Sequence, residues 1–339
     1  DETLQSEVIK LLVGMLFKEG GAREVQGSVN NYLMKNNSEL FFKQVRATIQ
    51  KLISWHKWND IIILEEGEEP EPPDDILIIR MLQLLSEGHY LPNQDIMREQ
   101  PNNLVQINLL DDLVIYFNSL SRLPCQTSTN AAIRVGATIV EIIQGPCVGN
   151  QNYFALSTEI LEIQNRIMRA KLVNDCVIED EVELKKICLD TISALLEGQM
   201  PKDSVTVRIL SVLHIDIIQT LAMPFIPEVV EDPNLDIEEP EGPSDEEISL
   251  QTECVVLLQM LCDYKPSLRV DMEEDDFFMD SSSTASVEVS WNGILNRRFF
   301  HVPDVCLLLA KSSKDALVQE VDRSNPENKL LDFLDRAQN

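Results

Sequence analysis

A chain of 339 residues with 44% apolar positions is long enough for one large hydrophobic core or two ordinary ones, which excludes a disordered protein. Its formal charge of −29 is concentrated in three runs that hold no basic residue: seven acids over 65–75, ten over 228–247 and six over 271–280. Such runs are solvated, self-repelling loops that nucleic acid and anionic membrane surfaces would reject, while the rest of the chain is nearly balanced. The seven cysteines (Cys125, Cys147, Cys176, Cys188, Cys254, Cys262, Cys306) form no Cys-x-x-Cys pair and sit mostly in apolar stretches, as reduced core thiols do. No apolar run of about 18 residues predicts a membrane span, and Asp1-Glu2-Thr3 opens no signal peptide, so the chain reads as a soluble piece of something longer.

Most of the chain repeats one theme, an apolar stripe at spacing three and four, opened by Ser, Thr or Asp and closed by Gly or Pro. The pattern predicts helices over 6–18, 28–34 and 38–58, the last with Phe41, Val45, Ile49 and Leu52 on one face. After the acidic Pro-rich linker come helices over 75–87, 104–121 and 129–144. Then follow 154–172, with stripe Leu156, Ile160, Ile163 and Ile167, and 181–197 and 204–223. Inward-facing residues are predicted at Phe41, Ile49, Leu156, Ile163, Leu210 and Ile217. Consecutive helices without an intervening strand predict an all-α fold, an armadillo- or HEAT-like α-solenoid, although no repeat period stands out. One more helix, 246–264, precedes a change of period. Val287 to Trp291 alternates, Asn292-Gly293 is a hairpin signal, and Arg298 to Val302 can return as the partner, pairing the strand around Val289 with the one around Phe300 in a small C-terminal β element. A last helix is expected over 305–311.

Four isolated histidines and the lack of any nucleophile-elbow, Walker or dinucleotide fingerprint predict that the chain is not an enzyme. The acidic loop at Asp271 fails as an EF-hand, because Asp276 stands where a Gly must turn the loop and Ser282 where a bidentate Glu must close it. Ser244, followed by Asp245, Glu246 and Glu247, is an exposed candidate for an acid-directed kinase, with little structural effect expected.

Two glutamates are locally misplaced. Glu87 ends one helix just before Gly88, and Glu141 stands in the last turn of another. A helix C-terminus carries about half a negative charge, so an anionic side chain there is disfavoured by roughly 0.3–1 kcal/mol unless a cation compensates. A cation between two such ends would find carboxylates and carbonyl oxygens, the hard ligands that suit calcium. Ordinary surface glutamates remain the other reading of the same residues.

The segment Gln144-Gly145-Pro146-Cys147-Val148-Gly149-Asn150-Gln151 resembles the Gln-Gly-Pro-Cys-x-x-Asn-Gln signature of the intracellular calcium-release channels, the inositol trisphosphate and ryanodine receptors, in their RIH-associated domain. Leu82-Gln83-Leu84-Leu85 before Glu87 resembles the same family, as does 20–42, with Gly20-Gly21-Ala22-Arg23 and Asn31-Tyr32-Leu33. The resemblance implies that Glu87 and Glu141 hold the activating calcium, with His89 and Gln144 as supporting residues and the remaining ligands outside this chain. Binding by the isolated chain is therefore expected to be weak. Leu195-Leu196-Glu197-Gly198 is closer to the ryanodine type, whereas 299–306 and 325–333 resemble the inositol trisphosphate type, which is favoured.

The expected organisation is a helical region over 1–64, an acidic linker over 65–75, the RIH-associated helical domain over 76–224, acidic loops around one helix over 225–285, and the start of an intervening β/helical domain over 286–339. The function implied is the cytosolic, calcium-sensing and signal-transmitting portion of a channel at the endoplasmic reticulum, without the pore. Its partners would be the other domains and subunits of a tetramer. The alternative is a helical-repeat scaffold that binds a partner protein and no metal. The two part at Glu87 and Glu141, since a scaffold has no reason to bring these carboxylates together.

Overall fold

In the computed structural model of the chain, residues 2–18, 20–35, 38–66, 73, 76–122, 125–171, 177–223, 244–268, 284–291 and 294–301 are described. Residues 1–253 form one compact unit and 254–339 a second. Among the described residues the first unit is entirely helical. Its twelve complete helices fall into four sets of three, and the chain runs α1 (Glu2–Leu16), α2 (Arg23–Lys35), α3 (Glu39–Glu66); α4 (Leu77–Ser86), α5 (Leu91–Arg98), α6 (Leu109–Leu120); α7 (Gln126–Ile143), α8 (Val148–Ser157), α9 (Ile160–Arg169); α10 (Ile178–Leu196), α11 (Ser204–Val212), α12 (Ile215–Ala222).

Packing follows the same register. Each first helix lies on the next first helix (α1 on α4, α4 on α7, α7 on α10), each second on the next second (α2, α5, α8, α11) and each third on the next third (α3, α6, α9, α12). A helix with one apolar stripe cannot bury it alone, and stacking successive sets makes the core continuous. The core is built from residues such as Ile49, Ile79, Leu113, Ile139, Phe154, Ile163, Ile192 and Ile209. The arrangement is that of an α-solenoid with three helices to the repeat.

Three expectations change. Residues 154–172 and 204–223 are not single helices. Thr158 interrupts the first, its hydroxyl donating to the Phe154 carbonyl (2.6 Å) and accepting from the Ile160 amide (3.3 Å). The break resets the helical phase, so Leu156 is 46% exposed while Ile163 is fully buried. The second breaks at Leu213-His214, where the Asn165 side chain accepts from the His214 amide and donates to the Val212 carbonyl. α5 is an additional helix, opened by Pro92 at its first turn.

One further helix, α13 (Asp245–Tyr264), spans the boundary between the units. Ser244 caps it: the Glu247 amide donates to its hydroxyl (3.2 Å) and the Glu247 carboxylate accepts from its amide (2.9 Å). The candidate kinase site is thus half-buried in a capping box rather than fully exposed. In the second unit β1 (Thr284–Trp291) pairs antiparallel with β2 (Ile294–His301). Trp291 lies opposite Ile294, so a two-residue connection fixes Val289 opposite Asn296 and Ala285 opposite Phe300. The expected turn Asn292-Gly293, the helix over 305–311, Cys176, Cys306 and most of the acidic runs lie outside the described residues. Cys125, Cys147, Cys188, Cys254 and Cys262 are in no disulfide. Among the described residues no single helix is long and apolar enough to cross a membrane.

Candidate metal centre

The loops joining first to second helices stack into one edge of the solenoid, and each turns on a glycine with positive φ: Gly20 (73°), Gly88 (68°), Gly145 (112°) and Gly198 (73°). Contact between successive loops is close. A Cβ on Gly88 would lie 2.2 Å from the Gly20 carbonyl oxygen, and one on Gly145 would lie 2.6 Å from the His89 Cβ. Both positions therefore require glycine for space as well as for conformation.

Six residues after the glycine stands a buried glutamine in three of the four repeats: Gln26, Gln94 and Gln151. Each side-chain amide donates twice to the end of the first helix in the next repeat. Gln26 reaches the carbonyls of Leu84 (2.9 Å) and Glu87 (2.8 Å), Gln94 those of Glu141 (2.7 Å) and Gln144 (2.8 Å), and Gln151 those of Ala194 (2.7 Å) and Glu197 (2.9 Å). Asn93 and Asn150, one residue earlier, donate to Leu85 (2.8 Å) and Ile142 (3.0 Å) within their own repeats and to the glutamine carbonyl of the preceding one. Helix ends buried between repeats would otherwise leave these carbonyls unpaired. This ladder is why Asn-Gln recurs at the same distance from Gly88 and Gly145.

The ladder changes what the helix ends can offer a cation. The carbonyls of Glu87, Glu141 and Gln144 already accept from ladder glutamines, and the Gly88 carbonyl accepts from the Arg23 guanidinium. The free oxygens are therefore those of carboxylates rather than of the helix-end carbonyls.

Glu87 caps α4 and Glu141 lies in the last turn of α7, which packs on α4. The two are close enough to interact. Burial, and then the neighbouring Glu87 charge, push the Glu141 carboxyl up to about 6, against the opposing pull of Arg80 and a hydrogen bond from the Gly88 amide. Its Oε2 is buried without any hydrogen-bond partner. His89, at φ 61°, is exposed and packs on Gly145, while Gln144 caps α7. The loops of repeats 2 and 3 thus carry Glu87, His89, Glu141 and Gln144 side by side. Among the described residues no three His, Cys, Asp or Glu side chains gather into a cluster able to hold a metal ion. Two carboxylates fall well short of the roughly six to eight oxygens calcium takes, so they fit an incomplete site and not a closed one.

Position by position, Glu141 is the odd residue of its class. Four before the loop glycine, the other repeats place the buried apolar residues Leu16, Leu84 and Ala194. One before it stand Glu19, Glu87 and Glu197, where repeat 3 has Gln144. In repeat 4 that carboxylate reaches back to the preceding repeat, the Glu197 Oε2 accepting from the Gly145 amide at 2.9 Å. In repeat 3 the carboxylate has moved one turn back, still facing the glycine amide of the preceding repeat but now partly desolvated and against Glu87.

Residues 75–168 match the family model for RyR and IP3R Homology associated. The matched span takes in repeats 2 and 3, from α4 to nearly the end of α9, including both glutamates and the Gln-Gly-Pro-Cys loop. The match supports the inositol trisphosphate and ryanodine receptor family for this part of the chain and a channel-subunit context for it.

Proposed function

We propose that the chain is a calcium-sensing, signal-transmitting part of an intracellular calcium-release channel, working from the cytosolic face of the endoplasmic reticulum within a tetramer and carrying out no catalysis itself. Glu87 and Glu141 would hold part of one calcium ion, with His89 and Gln144 supporting them. The observation that carries this reading is Glu141: a carboxylate in place of a buried apolar residue, with one unpaired oxygen and a second carboxylate beside it. A divalent cation would relieve both the burial and the repulsion. Oxygens from another domain would complete the coordination, so calcium would favour whichever channel arrangement brings that domain closer, by a coupling of about 1–3 kcal/mol. The inositol trisphosphate type is favoured by the residues over 299–306 and 325–333.

One observation favours a scaffold role. An open groove of about 760 Å³ on repeat 1, lined by Leu12, Met15, Val25, Val29, Tyr32 and Phe41, offers an apolar surface for a partner. A calcium titration followed by amide resonances separates the two. Weak binding that shifts Glu87, Gly88 and Glu141 and disappears in Glu141→Gln supports the sensor. Equal responses in parent, Glu87→Gln and Glu141→Gln would leave the scaffold alone.

A further inference from the structure

A second concave site lies away from the loop edge, where the ends of α6 and α9 and the starts of α7 and α10 line a partly open cavity of about 170 Å³. Its walls include Ala132, Ile167 and Leu184, and its cationic groups are Arg122, Lys171 and Lys185. A cavity of about 150 Å³ with apolar walls accepts benzene, so this one is matched to a single ring or a short aliphatic body.

The charge around it is out of keeping with the chain. In a protein with 57 acidic and 28 basic residues, this cavity gathers three basic side chains and one acidic one, Glu181. Glu181 is engaged by the buried Lys185 in an ion pair along α10. Arg122 and Lys171 are exposed, and no carboxylate among the described residues pairs with either. Arg166 adds a fourth cation just behind the wall. It is held by Asn118 and Ser121 at 2.7 Å each, while its Nε is buried without a partner. Burial and then the like charge of Arg122 disfavour the Arg166 cation, against a smaller opposing pull from Glu159. Two guanidinium groups beside one another, with an apolar hollow next to them, form an arrangement that an anion would stabilise.

The geometry points to a binding site for a small phosphomonoester, its carbon body seated against Ala132, Ile167 and Leu184 and its phosphoryl oxygens taken by Arg122 and Lys171. A carboxylate would satisfy one cation, whereas a phosphoryl group carries nearly two charges and three acceptor oxygens, enough for both. The volume excludes a whole nucleotide from the cavity itself and sets the bound part at about the size of phenyl phosphate.

Phenyl phosphate, inorganic phosphate and phenol, titrated separately into the whole chain by calorimetry with amide resonances followed in parallel, test this. Phenyl phosphate should saturate one site, shift Thr129, Ala132 and Leu184, bind at least tenfold more tightly than inorganic phosphate, and weaken as salt rises. Phenol should not bind. Arg122→Gln with Lys171→Gln should lower phenyl phosphate affinity at least tenfold and leave the melting temperature unchanged, because both side chains are exposed. Ala132→Leu, which fills the cavity, should abolish the preference for phenyl phosphate over inorganic phosphate. Unchanged affinity in the double variant, equal binding of phenyl and inorganic phosphate to the parent, or shifts confined to other surfaces would overturn the proposal.

Discussion

Two neighbouring seams of the same solenoid, repeat 2 on repeat 3 and repeat 3 on repeat 4, are built to one plan and differ at one carboxylate. In both, a ladder glutamine ties the end of the following first helix through two carbonyls. In both, a glycine amide meets a carboxylate from that helix, Gly145 with Glu197 and Gly88 with Glu141. At the later seam the carboxylate comes from the last position, and Ala194 fills the buried one. At the earlier seam the buried position holds the carboxylate itself, with an oxygen left unpaired. A repeat protein provides its own control: whatever packing demands appears at both seams, and what appears at one has another cause.

The largest effect should come from what the seams share. Gln94 and Gln151 are fully buried, and each makes two hydrogen bonds to carbonyls that have few alternatives. Replacing either with Ala should destabilise the first unit by about 1–3 kcal/mol, seen as a lower midpoint in urea unfolding. The two should differ in calcium binding. Gln94→Ala releases the helix end that carries Glu141 and should weaken it several-fold, whereas Gln151→Ala should leave it unchanged. Equal calcium effects would mean that the ladder does not position the site.

Much of this plan lay in the sequence, but not where hydrophobic patterning looks. The stripes located most first and third helices, because Ile49 or Ile163 recurs with apolar neighbours at helical spacing. Of the short second helices, α2 is found only over 28–34, α8 and α11 are merged with the helices that follow them, and α5 escapes altogether. α5 is eight residues long and buries Asn93 and Gln94, polar side chains that satisfy backbone carbonyls and look like surface residues in a binary pattern. Gly-x-x-x-x-Asn-Gln at 88–94 and again at 145–151 was a repeat signal in plain view. It was obscured by unequal repeat lengths, with the glycines at 20, 88, 145 and 198. Glu87 and Glu141 were legible as misplaced charges at helix ends. That the helix-end carbonyls already have partners could not be read, because Gln26 lies 58 residues before the Leu84 carbonyl it reaches.

The next effect separates the seams by sign. Glu197→Ala removes a charge-assisted hydrogen bond to Gly145 and should cost about 1–2 kcal/mol. Glu141→Gln keeps an acceptor for Gly88 and removes a desolvated charge, so at pH 7 it should stabilise the fold by about 1–2 kcal/mol. The pH dependence identifies the cause. Glu141 has a folded value near 6 against an ordinary 4.5, so its protonated form is favoured in the folded state. The parent matches the variant below about pH 4.5 and falls behind as the pH rises through about 6. His56 works in the other direction, since burial lowers it from 6.5 to about 4 and its contribution is lost as the pH falls through that window. The difference between parent and variant cancels His56, which both share. A pH-independent difference, or a Glu141→Gln variant less stable than the parent at pH 7, would show that the carboxylate is a packing feature like Glu197.

The smallest effect on stability should come from turning the earlier seam into a copy of the later one. Glu141→Leu with Gln144→Glu gives repeat 3 the residues that repeat 2 carries, Leu84 at the buried position and Glu87 at the last. A carboxylate at 144 is placed to take the Gly88 amide as Glu197 takes that of Gly145, and a leucine at 141 fills the space beside Glu87. The new charge stands at a helix C-terminus and costs roughly 0.3–1 kcal/mol, which burial of the leucine offsets, so the double variant should unfold within about 1 kcal/mol of the parent. Hydrogen exchange at the Gly88 amide reports the copied contact directly. It should slow in the double variant relative to Glu141→Leu alone, where the amide has lost its acceptor. Calcium binding should vanish in both, because the charge at 144 is hydrogen-bonded and solvated where that at 141 was unpaired. If the double variant binds calcium as well as the parent does, two carboxylates near one glycine loop suffice, and the one-turn displacement that distinguishes Glu141 from its counterparts has no part in the site.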